Sequence, residues 1–200
     1  MLLNCYNYKK RRINEAIRLL EKAIYEDDYG YMFDTIKYTN GLHINYIFKT
    51  TLLKTNYKMS LINFAARCNS YNCVISLLKN NADINIYDSK GWLPIHYAGI
   101  YHEPYKNQTL LALLSSPYIN INCLTLGGKI IIFNNVKMKT KGKSVYQLAN
   151  HYLCYGSCKI IQNYIKNKQK QKNPVRISET LPMASMAKLC YKPIPINKLY

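Results

Sequence analysis

The feature that most constrains this chain is an internal repeat with a period of 33 residues. Residues 58–90 align with residues 91–123, so that Ala65 falls on Ala98. A repeat of this length cannot bury a hydrophobic core by itself, and it becomes stable by stacking on neighbouring copies, of which about three are needed. The sequence therefore predicts a stack of similar units.

Each copy has the pattern of two helices that pack against each other. Pro94 suits the first turn of a helix, where the N–H that proline lacks would be unpaired in any case. The small side chains of Ala65 and Ala98 allow the two helices to lie close together. In both copies the second helix has apolar residues at helical spacing, namely Val74, Ile75, Leu77 and Leu78, and then Leu110, Leu111, Leu113 and Leu114. These patterns predict an all-α fold.

Two motifs in these copies resemble the ankyrin repeat. Residues 91–98, Gly-Trp-Leu-Pro-Ile-His-Tyr-Ala, are similar to the G-x-T-P-L-H-x-A motif of that family, and residues 82–85, Ala-Asp-Ile-Asn, are similar to its A-D-V-N motif. The resemblance implies an ankyrin-repeat solenoid of three to four helical hairpins that acts as a non-catalytic protein–protein interaction module. It also implies that His96 is structural, with its ring hydrogen-bonded to the backbone of the neighbouring loop.

The resemblance also divides the chain into parts. We expect a degenerate N-terminal capping repeat in residues 1–57, repeats in residues 58–90, 91–123 and 142–167, an insertion in residues 124–141, a basic linker in residues 168–180 and a tail in residues 181–200. The third repeat has Ser144 and Gln147 at the Thr and His positions of the motif. In the insertion, an apolar run over residues 130–133, an Asn pair and an alternating segment predict a β-hairpin.

Two finer expectations concern the helices. In the capping repeat, apolar residues at helical spacing predict an amphipathic helix over residues 13–25, while the last helix of the third repeat is expected over residues 155–167. In the second and third repeats, the last apolar pair lies three residues further from the motif alanine than in the first repeat. This spacing predicts three extra residues between the two helices of each of these repeats.

The chain is strongly basic, with a formal charge of +18 from 28 basic and 10 acidic residues. Residues 126–200 carry +13 of this charge. Most of the basic residues are Lys, and the chain is also rich in Asn, Ile and Tyr, a composition that AT-rich coding produces. The charge is therefore weak evidence for nucleic-acid binding. Binding of a nucleic acid or an anionic surface stays an alternative function, as does inhibition of an enzyme by covering its surface.

Cysteine content and apolar runs bear on the location of the protein. Seven cysteines, an odd number, together with an opening segment that lacks an apolar core, predict a reducing compartment, cytoplasmic or nuclear. The longest aliphatic run, residues 130–133, is far too short for a membrane span. We therefore expect a monomer that does not associate with a membrane.

No motif predicts catalysis, a metal or a cofactor. Gly142, Lys143 and Ser144 resemble the end of a phosphate-binding loop, but position 137 holds Lys where that motif requires Gly. His151, Cys154 and Cys158 are spaced like metal ligands, but a structural zinc site needs a fourth ligand, and the sequence offers none nearby. We expect these cysteines to be buried free thiols.

The resemblance implies that a protein partner binds the concave side of the stack, formed by the loops and the first helices. The residues expected there are Tyr87, Lys90, Trp92, Tyr97, Tyr101 and His102. Exposed Trp and Tyr dominate binding energy at many interfaces. The alternative, which the sequence leaves equally open, is that these aromatic residues pack against neighbouring loops.

The tail resembles the SOCS box that follows ankyrin repeats in one family of ubiquitin-ligase adaptors. That resemblance implies a partner-binding helix for Elongin B/C and a cullin, with Met186, Leu189, Cys190 and Ile194 as contacts. It therefore implies a substrate-recognition adaptor of an Elongin–cullin ubiquitin ligase. The tail is shorter than a full box, and Pro193 and Pro195 would end the helix. The alternative is a tail that packs on the last repeat or stays disordered.

Overall fold

The computed structural model describes residues 2–39, 42–50, 58–101, 107–126, 130–133, 136–139 and 142–172 of the 200-residue chain. These residues are mostly helical. The helices are α1 (Leu2–Tyr25), α2 (Tyr29–Tyr38), α3 (Leu61–Cys68), α4 (Tyr71–Lys79), α5 (Pro94–Gly99), α6 (Gln108–Ser115), α7 (Val145–His151) and α8 (Tyr155–Lys172). The strands are β1 (Ile47–Lys49), β2 (Lys58–Ser60), β3 (Ile130–Phe133) and β4 (Val136–Lys139).

Helices from successive parts of the sequence contact one another in two series. The first series runs from α1 to α3, from α3 to α5 and from α5 to α7. The second runs from α2 to α4 and from α4 to α6. Within the two clear repeats, α3 contacts α4 and α5 contacts α6. This arrangement fits a helical repeat, and the helices predicted in residues 58–123 are confirmed.

The alanines used to align the repeats occupy equivalent positions. Ala65, Ala98 and Ala149 are each the fifth residue of their helix, in α3, α5 and α7 respectively, and all three are fully buried. The neighbouring helices of the first series can approach closely because these side chains are small. The buried residues of the second helices include Leu77 of α4, Leu113 of α6 and Ile161 of α8.

The N-terminal helices extend beyond the predicted segment. Helix α1 begins at Leu2 rather than at residue 13, and the apolar residues Ala16, Leu20 and Ala23 are buried as the helical spacing predicts. Asp27, at the turn after α1, accepts hydrogen bonds from the backbone N–H of Asn72 (3.1 Å) and Cys73 (2.9 Å). A carboxylate at the first turn of α4 satisfies N–H groups that have no partner within the helix.

The prediction of three extra residues between the helices is wrong for both repeats, since the second repeat has six more than the first and the third repeat has one more. Only residues 152–154 separate α7 from α8, whereas residues 100–107 separate α5 from α6 and residues 69–70 separate α3 from α4. Helix α8 therefore starts almost in step with α4, and Ile161 takes the place of Leu77. The apolar pair used for that prediction, Tyr164 and Ile165, lies about one turn after Ile161 in the same helix. Helix α8 ends at Lys172, beyond the predicted residue 167.

The strands form two small antiparallel pairs. Strand β3 pairs with β4, with residue 130 opposite residue 139, which confirms the predicted hairpin; its Asn134–Asn135 turn lies outside the described residues. Strand β1 pairs with β2, with Ile47 opposite Ser60, and this pair was not predicted. It buries only Phe48 and Met59 among its apolar residues, a pattern too short to stand out in the sequence.

The chain divides into two compact units, residues 1–166 and residues 167–200. Of the second unit, the structure describes only the end of α8. The rest of the basic linker and the tail lie outside the described residues, and so do the four predicted tail contacts, Met186, Leu189, Cys190 and Ile194. Among the described residues, no helix combines the length and the apolar character that crossing a membrane requires.

Candidate binding surface

The loop before α5, residues 86–92, folds back on itself through a tight turn. The N–H of Asp88 donates to the carbonyl of Trp92 (2.9 Å), and the N–H of Gly91 donates to the carbonyl of Asp88 (2.9 Å). Gly91 has a φ of 77°, a conformation that residues with a side chain rarely adopt. The turn therefore depends on glycine at this position.

One buried carboxylate fixes the shape of this loop. Asp88 is only 6% exposed. Its Oδ1 accepts from the backbone N–H of Lys90 (2.9 Å) and of Trp92 (2.8 Å), and its Oδ2 accepts from the hydroxyl of Tyr97. A carboxylate that receives several hydrogen bonds can be buried because they replace its contacts with water. Asp88 thus joins the loop to α5.

Backbone hydrogen bonds tie the same loop to a neighbouring segment on each side. The N–H of Ser89 donates to the carbonyl of Lys58 (2.8 Å), and the N–H of Leu126 donates to the carbonyl of Gly91 (2.7 Å). Because both of its neighbours hold it, the loop has little freedom to move, and side chains at its tip are held in place.

Four residues around this loop form what we call the aromatic–cation cluster: Arg67, Lys90, Trp92 and Tyr97. The rings of Trp92 and Tyr97 lie 5.1 Å apart between centroids, tilted by 39°. The Lys90 Nζ lies 4.4 Å from the Trp92 ring, and the Arg67 Cζ lies 5.6 Å from the Tyr97 ring. Both separations are within the range of a cation–π interaction. Arg67 comes from the last turn of α3, and no sequence pattern predicted its place in this cluster.

The electrostatics of the cluster follow from burial and from the nearby charges. Burial lowers the pKa of Lys90, the charge of Arg67 lowers it further, and Asp88 acts in the opposite direction. Burial also raises the pKa of the Tyr97 hydroxyl, as does the hydrogen bond to Asp88. Tyr97 therefore stays protonated, as required for its donation to Asp88.

The structure brings three of the six predicted contact residues together, namely Lys90, Trp92 and Tyr97, but not with the exposure that direct binding by aromatic rings requires. Trp92 is 9% exposed and Tyr97 is 5% exposed, so both follow the alternative in which the aromatic residues pack inside. Lys90 is exposed, and Tyr101 is 38% exposed. Tyr87 is half-buried, with its hydroxyl donating to the carbonyl of Leu124 (3.2 Å). His102 lies outside the described residues.

His96 has the structural role that the sequence predicted. It is fully buried, its Nδ1 accepts from the N–H of Leu93 (3.0 Å), and its Nε2 lies 3.1 Å from the carbonyl of Cys123, to which it donates. Burial lowers its pKa, so the ring is neutral near pH 7. In the preceding repeat Asn63 makes the corresponding link, because its Nδ2 donates to the carbonyl of Ile86 (3.0 Å).

Residues 51–98 match the family model for ankyrin repeats in many copies. No curated protein matches the chain. The matched segment includes β2, α3, α4, the loop of residues 86–92 and most of α5. Ankyrin repeats are protein–protein interaction modules and are generally non-catalytic, so the match indicates an interaction module in this part of the chain.

The cysteines of the third predicted repeat do not form a metal site. Cys154 and Cys158 are buried free thiols, as predicted, whereas His151 is exposed. In the part of the chain that the structure describes, no group of three or more His, Cys, Asp or Glu residues is arranged to hold a metal ion. Burial raises the pKa of Cys68 to about 12, so this thiol is protonated and a poor nucleophile.

A groove at the ends of two helices is another candidate site, but its charged side chains do not form a catalytic group. It has a volume of about 430 Å³ and lies where α4 and α6 end. Apolar side chains such as Ile75, Leu78 and Ile84 form much of its wall, and its charged residues are Lys79 and Asp83. One cation and one carboxylate do not make a nucleophile or an acid–base pair. The aromatic–cation cluster is therefore the better candidate site.

Proposed function

We propose that this chain binds a protein partner through the loop surface, which we define as the loop of residues 86–92 with Arg67 of α3 and Tyr101 after α5. The observation that carries the proposal is the placement of Lys90 and Arg67 on the rings of Trp92 and Tyr97. Side chains held in place before binding lose little conformational freedom when a partner arrives. An interaction module of the ankyrin type needs such a prepared surface.

The predicted contact residues divide into two roles under this proposal. Lys90 and Tyr101 contact the partner, and we propose His102, which follows Tyr101 in the sequence, as a further contact. Trp92 and Tyr97 act from beneath by holding the two cations. Tyr87 supports the loop through its bond to Leu124. Inhibition of an enzyme would be one use of this same surface.

Nucleic-acid binding is the alternative function, and the cluster supports it less well. Proteins that bind single strands combine positive charge with aromatic rings on which bases stack. Here the two rings are buried, and each has a cation over it. A base would have to displace Lys90 or Arg67 to stack.

The finer proposal is that the chain is a substrate-recognition adaptor of an Elongin–cullin ubiquitin ligase in the cytoplasm or nucleus. It is supported by the sequence of the tail, where Met186 and Cys190 are one helical turn apart, Leu189 precedes Cys190, and Ile194 follows one turn later. A helix with this spacing would insert apolar side chains into a groove of its partner.

A position-specific crosslinking experiment tests the loop surface. The full chain is expressed with a photo-crosslinking phenylalanine analogue in place of Tyr101, and in a matched control in place of Tyr155, an exposed tyrosine of α8. We expect a discrete protein, identified by mass spectrometry, to be crosslinked from position 101 and not from position 155. The proposal is wrong if the crosslinked proteins are the same from both positions.

Co-purification tests the adaptor role. The full chain should retain Elongin B and C, and the double variant Met186→Ala with Cys190→Ala should lose them. A control variant, Lys188→Ala, changes a neighbouring residue that faces away from this apolar side in a helix. If the intact chain does not retain Elongin B and C, the adaptor role is refuted while the loop surface is unaffected.

A further inference from the structure

The short strands and loops between the helices are joined by backbone hydrogen bonds in a row, and β1 lies at the start of that row. Strand β2 pairs with β1 on one side. On its other side, the N–H of Lys58 donates to Oγ of Ser89 (2.8 Å), and the N–H of Ser89 donates to the carbonyl of Lys58 (2.8 Å). Strand β2 therefore has two neighbours, whereas β1 has a neighbour only on the side of β2 within the part of the chain that the structure describes. We call the opposite side of β1 the open edge.

The register of the strands shows which backbone groups face the open edge. Both backbone groups of Lys58 are directed to Ser89, so they point away from β1. Lys49 lies opposite Lys58, and the two residues of such an antiparallel pair direct their backbone groups away from each other. Ile47, two residues earlier in the strand, has the same orientation as Lys49. The N–H and C=O groups of Ile47 and Lys49 therefore face the open edge, and no described residue is hydrogen-bonded to them there.

The side chains around the open edge are accessible and positively charged. Ile47 is 48% exposed and Lys49 is exposed, whereas Phe48 is buried on the other face of the strand. The Lys49 and Lys58 side chains are directly opposite each other, an unfavourable arrangement for two like charges. The segment of residues 46–60 contains a third lysine and no acidic residue. A carboxylate placed beside Lys49 would relieve this repulsion.

We propose that the open edge of β1 binds an extended segment of a protein partner, which adds an antiparallel strand with acidic side chains on the exposed face and apolar side chains on the other. Backbone groups presented by alternate residues fit another strand, and hydrogen bonds to them supply affinity in strand addition. Antiparallel pairing repeats the geometry of β1 with β2. The open edge shares no residue with the loop surface, so the inference goes beyond the proposed function and is tested separately.

A second copy of this chain fits the open edge less well than an acidic partner does. Its own β1 would bring another lysine and no carboxylate to the edge, and each copy carries a formal charge of +18. Exposed lysines on edge strands are a common means by which proteins avoid pairing with copies of themselves. The charge of this edge therefore selects against the chain itself and in favour of an acidic strand.

The first test uses the full, unaltered chain and three fluorescein-labelled peptides of equal length in which Glu and Val alternate. One peptide is unmodified, one is N-methylated at every Glu, and one is N-methylated at every Val. In the proposed register, Glu residues lie opposite Ile47 and Lys49 and direct their N–H groups at β1, whereas the N–H groups of Val point away. We expect the unmodified and Val-methylated peptides to bind alike, and the Glu-methylated peptide to bind about tenfold more weakly.

The second test changes the edge itself. Ile47→Pro removes an N–H that faces the open edge, at the first residue of a strand, where proline is tolerated, and Ile47→Thr keeps that N–H as the matched control. We expect the affinity for the unmodified peptide to fall about fivefold in Ile47→Pro and to change little in Ile47→Thr. Lys49→Gln should weaken binding about threefold, whereas Lys37→Gln, at an exposed position of α2, should leave it unchanged. Thermal unfolding checks that each variant is folded.

Several results would overturn the inference: no binding of the unmodified peptide, equal or reversed affinities for the two methylated peptides, or equal effects of Lys49→Gln and Lys37→Gln. Sedimentation of the unaltered chain adds one more, since a dimer that Ile47→Pro abolishes would make a second copy the occupant of the edge. Crosslinking from position 101 reports on the loop surface alone. Its failure, with the peptide results as expected, would refute the proposed function and leave the open edge standing.

Discussion

Two regions precede equivalent helices. The loop of residues 86–92 precedes α5, and the paired segments 124–126 and 142–144 precede α7. Different hydrogen bonds hold the two regions together. In the first, the N–H of Trp92 donates to the buried carboxylate of Asp88. In the second, the N–H of Lys143 donates to the hydroxyl of Thr125 (3.0 Å), and the N–H of Thr125 donates to the carbonyl of Lys143 (3.0 Å). These two hydrogen bonds of the second region join the segments that lie before and after the hairpin of β3 and β4.

This difference teaches that an insertion is tolerated where the loop is joined at its base by the backbone. The hairpin of β3 and β4 lies between two segments that are already hydrogen-bonded to each other, so the helices on either side keep their positions. The Thr125 hydroxyl is a sufficient side-chain acceptor for joining these two segments. The contiguous loop instead uses a buried charge, and it is the loop that carries the aromatic–cation cluster.

The largest effect that separates the two loops should come from their side-chain acceptors. Replacing Asp88 with Ala leaves two N–H groups and the Tyr97 hydroxyl without their acceptor, and should lower the free energy of unfolding by about 4 kcal/mol. Replacing Thr125 with Ala removes one neutral acceptor and should lower it by about 1 kcal/mol. Urea unfolding followed by circular dichroism measures both. Equal losses would mean that the buried carboxylate has no special role.

The next effect concerns the point where the two loops touch. A Cβ atom at Gly91 would lie 2.1 Å from the carbonyl oxygen of Leu126, and the φ of 77° is unfavourable for any side chain. We expect Gly91→Ala to cost about 3 kcal/mol. Gly30→Ala in α2, where the added atom would lie 3.4 Å from Oδ1 of Asp28 and meets no backbone atom, should stabilise the chain by up to about 1 kcal/mol. If both variants unfold at the same urea concentration, the close approach of the loops is not real.

A smaller effect is the pH dependence of stability, to which His96 of the second repeat contributes and Asn63 of the first does not. The pKa of His96 is lowered from 6.5 by burial, so the unfolded chain takes up a proton before the folded chain does. Stability is therefore complete above pH 6.5 and falls as the pH drops below it, by about 1 kcal/mol over the first pH unit. The variant His96→Asn, which copies Asn63 of the preceding repeat, should lose much of this pH dependence. Urea midpoints at pH 7.5 and 5.5 give the comparison; an unchanged pH dependence would contradict the assignment.

The smallest effect lies at the turns between paired helices. Asn69 and Leu153 both have a positive φ, of 60° and 58°. Asn tolerates this conformation, whereas Leu does not, and Leu153 is 60% exposed, so its side chain gains little from packing. Leu153→Asn should raise the free energy of unfolding by about 0.5–1 kcal/mol. A loss of stability instead would mean that the Leu153 side chain makes contacts that outweigh the backbone strain.

The sequence predicted the elements that repeat, and missed those that depend on contacts between repeats. The period and the motif at residues 91–98 were predictable because each is a local sequence pattern, and the role of His96 followed from the resemblance of that motif to the ankyrin repeat. The position of Arg67 over the Tyr97 ring was not, since the two residues lie in different repeats and nothing in α3 marks the contact. The burial of Trp92 could not be decided either, because a loop aromatic suits an interface and a core equally well.

The central claim is that the repeats stack through their loops, and amide hydrogen exchange of the full chain tests it most directly. The N–H of Ser89 donates to the carbonyl of Lys58 and the N–H of Leu126 donates to the carbonyl of Gly91, so these bonds join the loop of residues 86–92 to the segment on each side of it. The account predicts that these two amides exchange as slowly as the amides at the centre of α5, through unfolding of the stack. Exchange at the rate of an unstructured peptide, while α5 remains protected, would contradict it.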